Sequence, residues 1–230
     1  MQTAFTKDKI IKAIFISEIR NRFLCEVSID GLIVRCYVPS SCRLDNFLDL
    51  TGKIVLLTPT KSRGAKTPYS LLAIAYKNNY IILNSSLANY AVGQALATKR
   101  FSSLGRRTTI QKEFYVGNYK SDFFIRDTET LIEVKSIITT DAVARFPSVF
   151  SLRAIDQLQA IKNHLKNGKP ACYIIASLNP YVKAIVVDEH TPFYQAFAEC
   201  LSLGMKTMGV SCQIKDNKFG LHKVIEIKHS

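Results

Sequence analysis

No stretch of the chain approaches the roughly 18 consecutive apolar residues that a membrane-spanning helix needs. The N-terminal MQTAFTKDKI has no apolar core of the kind a secretory leader carries. Both absences predict a soluble, cytoplasmic protein with no membrane partner. The six cysteines (Cys25, Cys36, Cys42, Cys172, Cys200 and Cys212) contain no CxxC and no metal-ligand spacing. They read as small buried hydrophobes in a reducing compartment. There is no internal repeat, no low-complexity segment and no helix-turn-helix pattern suited to reading a major groove. Acidic residues are scarce, 18 against 31 Lys and Arg, which leaves a net charge of +13. The excess runs through the whole chain, since residues 1–80 hold 12 basic and 6 acidic residues. A basic surface of this size concentrates polyanions, of which nucleic acid is the commonest.

What is present divides near residue 80. Residues 1–80 read as an all-β, OB-like barrel, with short strands over 10–16, 22–29, 32–38, 53–58 and 70–76. Asp30-Gly31 marks a tight hairpin turn, because Gly accepts positive φ. The basic loop from Lys61 to Lys66 could grip phosphates through Arg63 and Lys66, with Tyr69 stacking on a base. The competing reading is a solvated loop beside a half-buried Tyr69. Residues 81–230 alternate β and α and predict an α/β (α+β) domain with a mixed sheet. A short strand over 81–83 precedes a helix capped by Ser85 or Ser86 and running to about Thr98. Strands follow over 109–116, 119–126 and 131–138, then a helix over 148–167 closed by Gly168 and Pro170. Strands over 171–177 and 183–188 precede a helix begun by Thr191-Pro192 and ended by Gly204. Strands over 206–214 and 221–227 complete the domain. His164 and His190 have no partner at ligand spacing and read as solvated. Phe193, Tyr194 and Phe197 read as core.

The chemistry concentrates between Glu113 and Lys135. Asp127-Thr128 is polar and lies midway between two apolar strands. A two-residue turn there places Asp122 across from Glu133, with opposed Cβ atoms ~5 Å apart. Carboxylates so placed repel each other unless a cation lies between them. Glu133 and Lys135 share a face, whereas Ile132 and Val134 point to the opposite layer. An Asp, a Glu and a Lys at one spot on an apolar sheet suit metal-assisted phosphodiester hydrolysis. Carboxylate oxygens hold Mg²⁺ or Mn²⁺, the cation acidifies water, and the Lys orients that water and stabilises developing charge. Glu113 could complete the metal shell. An isolated ExK is more often a cross-strand ion pair. Here the pattern also includes Asp122 eleven residues upstream of Glu133, flanking strands and a following helix. It is the D-x₁₀-ExK pattern of the PD-(D/E)xK nuclease superfamily, with Ser121 in place of the usual Pro. Arg153 and Gln157, four apart, share a helix face.

The chain resembles the sugar fermentation stimulation protein A (SfsA) family over nearly its whole length. The resemblance rests on RFLCEVSIDG, VRCYVPS, LNSSLAN, KEFYVGNYKSDFFI, LIEVKSI and RFPSVFSLRAIDQL. The family's marks are carried by Glu113, Asp122, the EVKS of Glu133 to Ser136, and Phe146-Pro147. Two segments depart from it. The family's Pro-Asn-Thr-Gly is Pro39-Ser40-Ser41-Cys42 here, and its Thr-x-Arg-Gly-x-Lys-His-Leu is Ser151 to Leu158, keeping Arg153 and Leu158 but not the Gly, Lys or His. The resemblance identifies a divergent member and implies an N-terminal OB-like domain before a nuclease-type domain. It also brings an alternative, a non-catalytic DNA-binding protein that regulates sugar-utilisation genes. The expected function is a metal-dependent endonuclease of low sequence specificity acting on DNA or RNA. Asp122, Glu133 and Lys135 would be catalytic, and Glu113, Asp122 and Glu133 would hold Mg²⁺ or Mn²⁺. Arg63, Lys66, Tyr69, Arg106, Arg107, Arg153 and Gln157 would contact nucleic acid. Many nucleases of this superfamily act as homodimers, but no dimer seam is evident in the sequence.

Overall fold

The computed structural model describes residues 10–19, 23–39, 44, 48–60, 64–216 and 218–229. Strands β1 (Ile11–Glu18), β2 (Leu24–Ile29), β3 (Leu32–Tyr37), β4 (Ile54–Pro59), β5 (Tyr69–Tyr76) and β6 (Asn79–Ile82) pair in the order β3-β2-β1-β4-β5-β6. A short parallel contact of Cys36 with Tyr69 joins β3 to β5 and closes β1 to β5 into the expected OB barrel. Asp30 (φ 50°) and Gly31 (φ 83°) both take left-handed backbone, so the Asp-Gly pair makes the mirror-image turn that matches strand twist. Period-2 alternation then turns Phe15, Cys25, Val27 and Cys36 into the barrel interior. Every described cysteine is buried, whereas Cys42 lies outside the described residues.

The second half contains α1 (Leu87–Ala95), a 3₁₀ turn over Lys99–Leu104, and the strands β7 (Ile110–Val116), β8 (Tyr119–Ile125), β9 (Thr130–Ile137) and β10 (Val143–Phe146). It continues with α2 (Leu152–Lys166), β11 (Ala171–Ser177), β12 (Ala184–Val187), α3 (Pro192–Ser202), β13 (Lys206–Lys215) and β14 (Lys218–His229). These strands form one mixed eight-stranded sheet, ordered β10-β12-β14-β13-β11-β9-β8-β7. The centre, β9-β11-β13, is parallel. All seven residues of β11 are buried, as a parallel strand covered on both faces requires. Ile132, Val134 and Ile174 pack with α1 on one face. Leu131, Tyr173 and Ile175 pack with α2 and α3 on the other. Among the described residues no helix is long and apolar enough to cross a membrane.

Three readings of local sequence are corrected, and one strand is added. α2 starts at Leu152, not Ser148, because Ser151 is the residue whose hydroxyl accepts from the Ala154 N–H, at 3.3 Å. Strand β10, only four residues long, carries too little pattern to be read. Ser86 does not cap α1 with its side chain; its hydroxyl donates to Asn84 Oδ1 at 2.6 Å. His164 is buried rather than solvated, with Nε2 2.9 Å from the Glu129 carbonyl oxygen, and burial holds its pKa below the ordinary value.

Candidate active site

The β8–β9 hairpin adopts the register read from the sequence, pairing Phe123 with Ile132, Phe124 with Leu131 and Ile125 with Thr130. Its loop has four residues, 126–129, instead of two, which leaves that register unchanged. The ladder stops just before Asp122 would meet Glu133. Beyond that point β8 pairs with β7 and β9 pairs with β11, so the sheet forks. Asp122 sits in the fork and takes the place of a ladder partner: its Oδ2 accepts the Val134 N–H at 2.8 Å, and its Oδ1 accepts from Asn89 Nδ2 of α1 at 2.6 Å. Glu133 is 2% exposed. Its Oε2 accepts from the Tyr119 hydroxyl and its Oε1 from Lys135 Nζ, both at 2.5 Å. Lys135 Nζ also donates to Gln157 Oε1 of α2 at 2.6 Å. Asp122, Glu133, Lys135 and Gln157 are therefore brought together.

Two carboxylates share this low-dielectric corner, and among the described residues Lys135 is the ammonium that pairs there. Burial, with the Glu133 charge second, pushes the Asp122 carboxyl up to about 6 against the pull of Val134 N–H, Lys135 and Asn89. Burial and the same Glu133 charge push the Tyr119 hydroxyl far above its ordinary range, so it remains a donor to Glu133. Among the described residues no three acidic, His or Cys side chains already converge as a metal cage. The donor set nonetheless fits a hard divalent cation. Its two carboxylates, though hydrogen-bonded, still repel each other enough to raise the Asp122 carboxyl, and Mg²⁺ commonly takes one or two carboxylates and keeps its remaining ligands as water.

Above the fork lies a cleft of about 690 Å³. One wall is Ser85, Ser86 and Asn89, the floor is Asp122 and Glu133 to Ser136, and the other wall is Phe146 to Phe150, Arg153 and Gln157. Glu113 lines it too, in β7 between the pairs Lys112–Phe123 and Phe114–Ser121, and so lies across from Asp122. It has φ 53°, a conformation that strains a non-glycine residue. Its largely exposed carboxylate pairs with Lys120 Nζ at 3.2 Å. Lys120 and Arg153 also line a second cleft of about 560 Å³, continuing over Gly117, Asn118 and Asn163.

The remaining predicted contacts lie elsewhere. Arg106 pairs with Asp127 at 3.4 Å. The Arg107 guanidinium donates to the carbonyls of Leu96, Thr98, Ser102 and Gly105, stapling the 3₁₀ turn. Lys66 is exposed and Tyr69 half-buried against the barrel core. Arg63 lies outside the described residues. Asn89, Tyr119 and Lys120 escaped the sequence reading. Only Tyr119 carried a usable signal, since a Tyr inside an apolar strand needs a partner for its hydroxyl.

Comparison with known proteins agrees with this architecture. A family profile described as "Sugar fermentation stimulation protein RE domain" matches residues 86–218, and one described as "SfsA N-terminal OB domain" matches residues 20–83. A sugar fermentation stimulation protein homolog of Caldanaerobacter subterraneus subsp. tengcongensis is 29% identical over 227 residues, covering 96% of this chain and 98% of that protein. The Chloroflexus aggregans homolog is 28% identical over 210 residues, covering 89% and 80%. The structure of Pyrococcus furiosus SfsA in complex with Ca²⁺ shares the fold at a TM-score of 0.83 and 20% identity, covering 98% of this chain and 99% of that one. The matching profiles, together with the forked hairpin and closed barrel, place this chain in the sugar fermentation stimulation protein (SfsA) family.

Proposed function

We propose that the protein is a metal-dependent nuclease that hydrolyses phosphodiester bonds of DNA or RNA with low sequence specificity. The observation that carries this reading is the trio Asp122, Glu133 and Lys135 on the floor of one cleft, with the Lys ammonium held between Glu133 and Gln157. When bound there, Mg²⁺ or Mn²⁺ supplies a positive centre that polarises the phosphodiester and acidifies water. Asp122 and Glu133 are its ligands in this reading, joined by Glu113 at the rim. Lys135 orients the attacking water and donates to the phosphoryl oxygens as their charge grows. Lys120 and Arg153 hold neighbouring phosphates. Such contacts position a strand without reading its bases, hence the low specificity. The Ca²⁺ complex of the Pyrococcus furiosus protein supports a divalent cation as partner of this fold.

Labelled single-stranded DNA, duplex DNA and RNA, each incubated with Mg²⁺, Mn²⁺ or EDTA, test the proposal. Cleavage is expected with either metal and not with EDTA. Glu133→Gln and Lys135→Ala should each lower it at least about a hundredfold. Salt-sensitive binding without cleavage by any of the proteins would instead leave a non-catalytic nucleic-acid-binding protein, consistent with a regulatory role at sugar-utilisation genes.

A further inference from the structure

Between β10 and the first turn of α2, residues 148–153 form an unbroken exposed run. Three of its members are large and apolar: Val149 is 55% exposed, Phe150 61% and Leu152 67%. Packing does not account for them, because α2 first meets the core at Ala154 and Ile155 and is fully buried only from Leu158. Single exposed apolar side chains are ordinary. Three within four positions, two of them lining the cleft that holds Asp122 and Glu133, form a patch that needs an occupant. Its surroundings define the chemistry of that occupant. Arg153 ends the run, exposed Arg145 precedes it by three residues, and Lys120 and Arg153 line the same cleft. An apolar, partly aromatic platform between cations matches a flat π-face carried on a phosphate backbone. A protein partner that was merely apolar would have no use for the cations. In a duplex each base face is covered by its neighbours, so only an unstacked base can use such a platform.

We propose that Val149, Phe150 and Leu152 form a stacking platform for an unpaired nucleobase. The preferred substrate is then a single strand or frayed end threaded past Lys135. This rests on the nuclease reading above and names its substrate class.

The chain has no tryptophan, so Phe150→Trp installs a lone fluorophore at the platform. Titration in EDTA separates binding from cleavage. The probes are a single-stranded oligothymidylate, a strand of equal length with abasic positions, and a duplex. The base-bearing strand is expected to quench the fluorophore strongly and the abasic strand weakly. Read from the anisotropy of end-labelled probes, Phe150→Ala should weaken binding of the base-bearing strand relative to wild type about tenfold or more, with little change for the abasic strand or the duplex. Equal quenching by the abasic strand, or equal weakening on the duplex, would overturn the platform while leaving the nuclease reading intact. Failure of every probe to bind wild-type protein would overturn both. A change of sedimentation mass in Phe150→Ala, with strand binding unaltered, would identify the lip as a protein contact and also overturn the proposal.

Discussion

Asp122 sits where two demands conflict. Its carboxylate is well hydrogen-bonded, yet it is half-buried beside Glu133 and holds its proton up to about 6. In the unfolded chain the same group ionises near its ordinary 3.8. Between those values the folded state binds the extra proton, so the metal-free protein loses stability as pH rises from about 4 to 6. The loss reaches at most about 3 kcal/mol and persists at higher pH. A divalent cation favours the ionised pair and should restore it, so metal affinity should climb through pH 6. Thermal melts at pH 5 and 7.5, with and without Mg²⁺ or Mn²⁺, check this. Metal is expected to raise the melting temperature at pH 7.5 and barely at pH 5. Asp122→Asn should melt about 3–8 °C above wild type at pH 7.5 in EDTA and gain nothing from metal. An Asn variant that melts no higher, and still responds to metal, would show that Asp122 neither carries this strain nor binds the cation.

The decisive element is the β8–β9 fork, and α1 holds it from behind. Gly93 of α1 lies against the buried Phe123 ring, where an added Cβ would fall 2.9 Å from two ring carbons. Ala is the better helix former by about 1 kcal/mol, yet the overpacking should win. Gly93→Ala is expected to destabilise the fold by about 1–3 kcal/mol, read from the midpoint of urea unfolding. A stabilised variant would mean that α1 can shift away from the sheet. The hairpin register was legible because two apolar strands flank a polar turn, and register is strongly specified wherever the faces differ. That pattern alone puts Asp122, Glu133 and Lys135 in one place. The start of α2 was not legible: Ser148 and Ser151 are equally good caps, and Val149, Phe150 and Leu152 resemble the apolar face of a helix. Asn89 and Lys120 were invisible because their roles depend on how α1 and β7 approach the fork, and no local pattern encodes that approach.

Across the whole molecule, the charge of +13 would make the proposed nucleic-acid binding an ion-exchange process. If four phosphates are neutralised, affinity for a duplex should fall about a hundredfold between 50 and 200 mM salt, and somewhat less for a single strand. Anisotropy titrations over that range in EDTA give the slope, and a flat response would remove phosphate contacts as the source of binding. The barrel was legible from the spacing of its strands and the Asp30-Gly31 turn. Its junction with the larger sheet was not. There the Ile82 N–H donates to the Leu178 carbonyl at 3.0 Å, and Leu56, Leu72 and Ile82 share one apolar cluster with Ile174, Leu178 and Val210. A hydrophobic core common to two sheets cannot be divided without wetting both. The halves should therefore melt in a single transition, and neither should serve as a transplantable module. Severed at the junction, the larger half would lose the apolar lid over Leu178, and a foreign domain fused there would have to rebuild that lid before the fork could hold its shape.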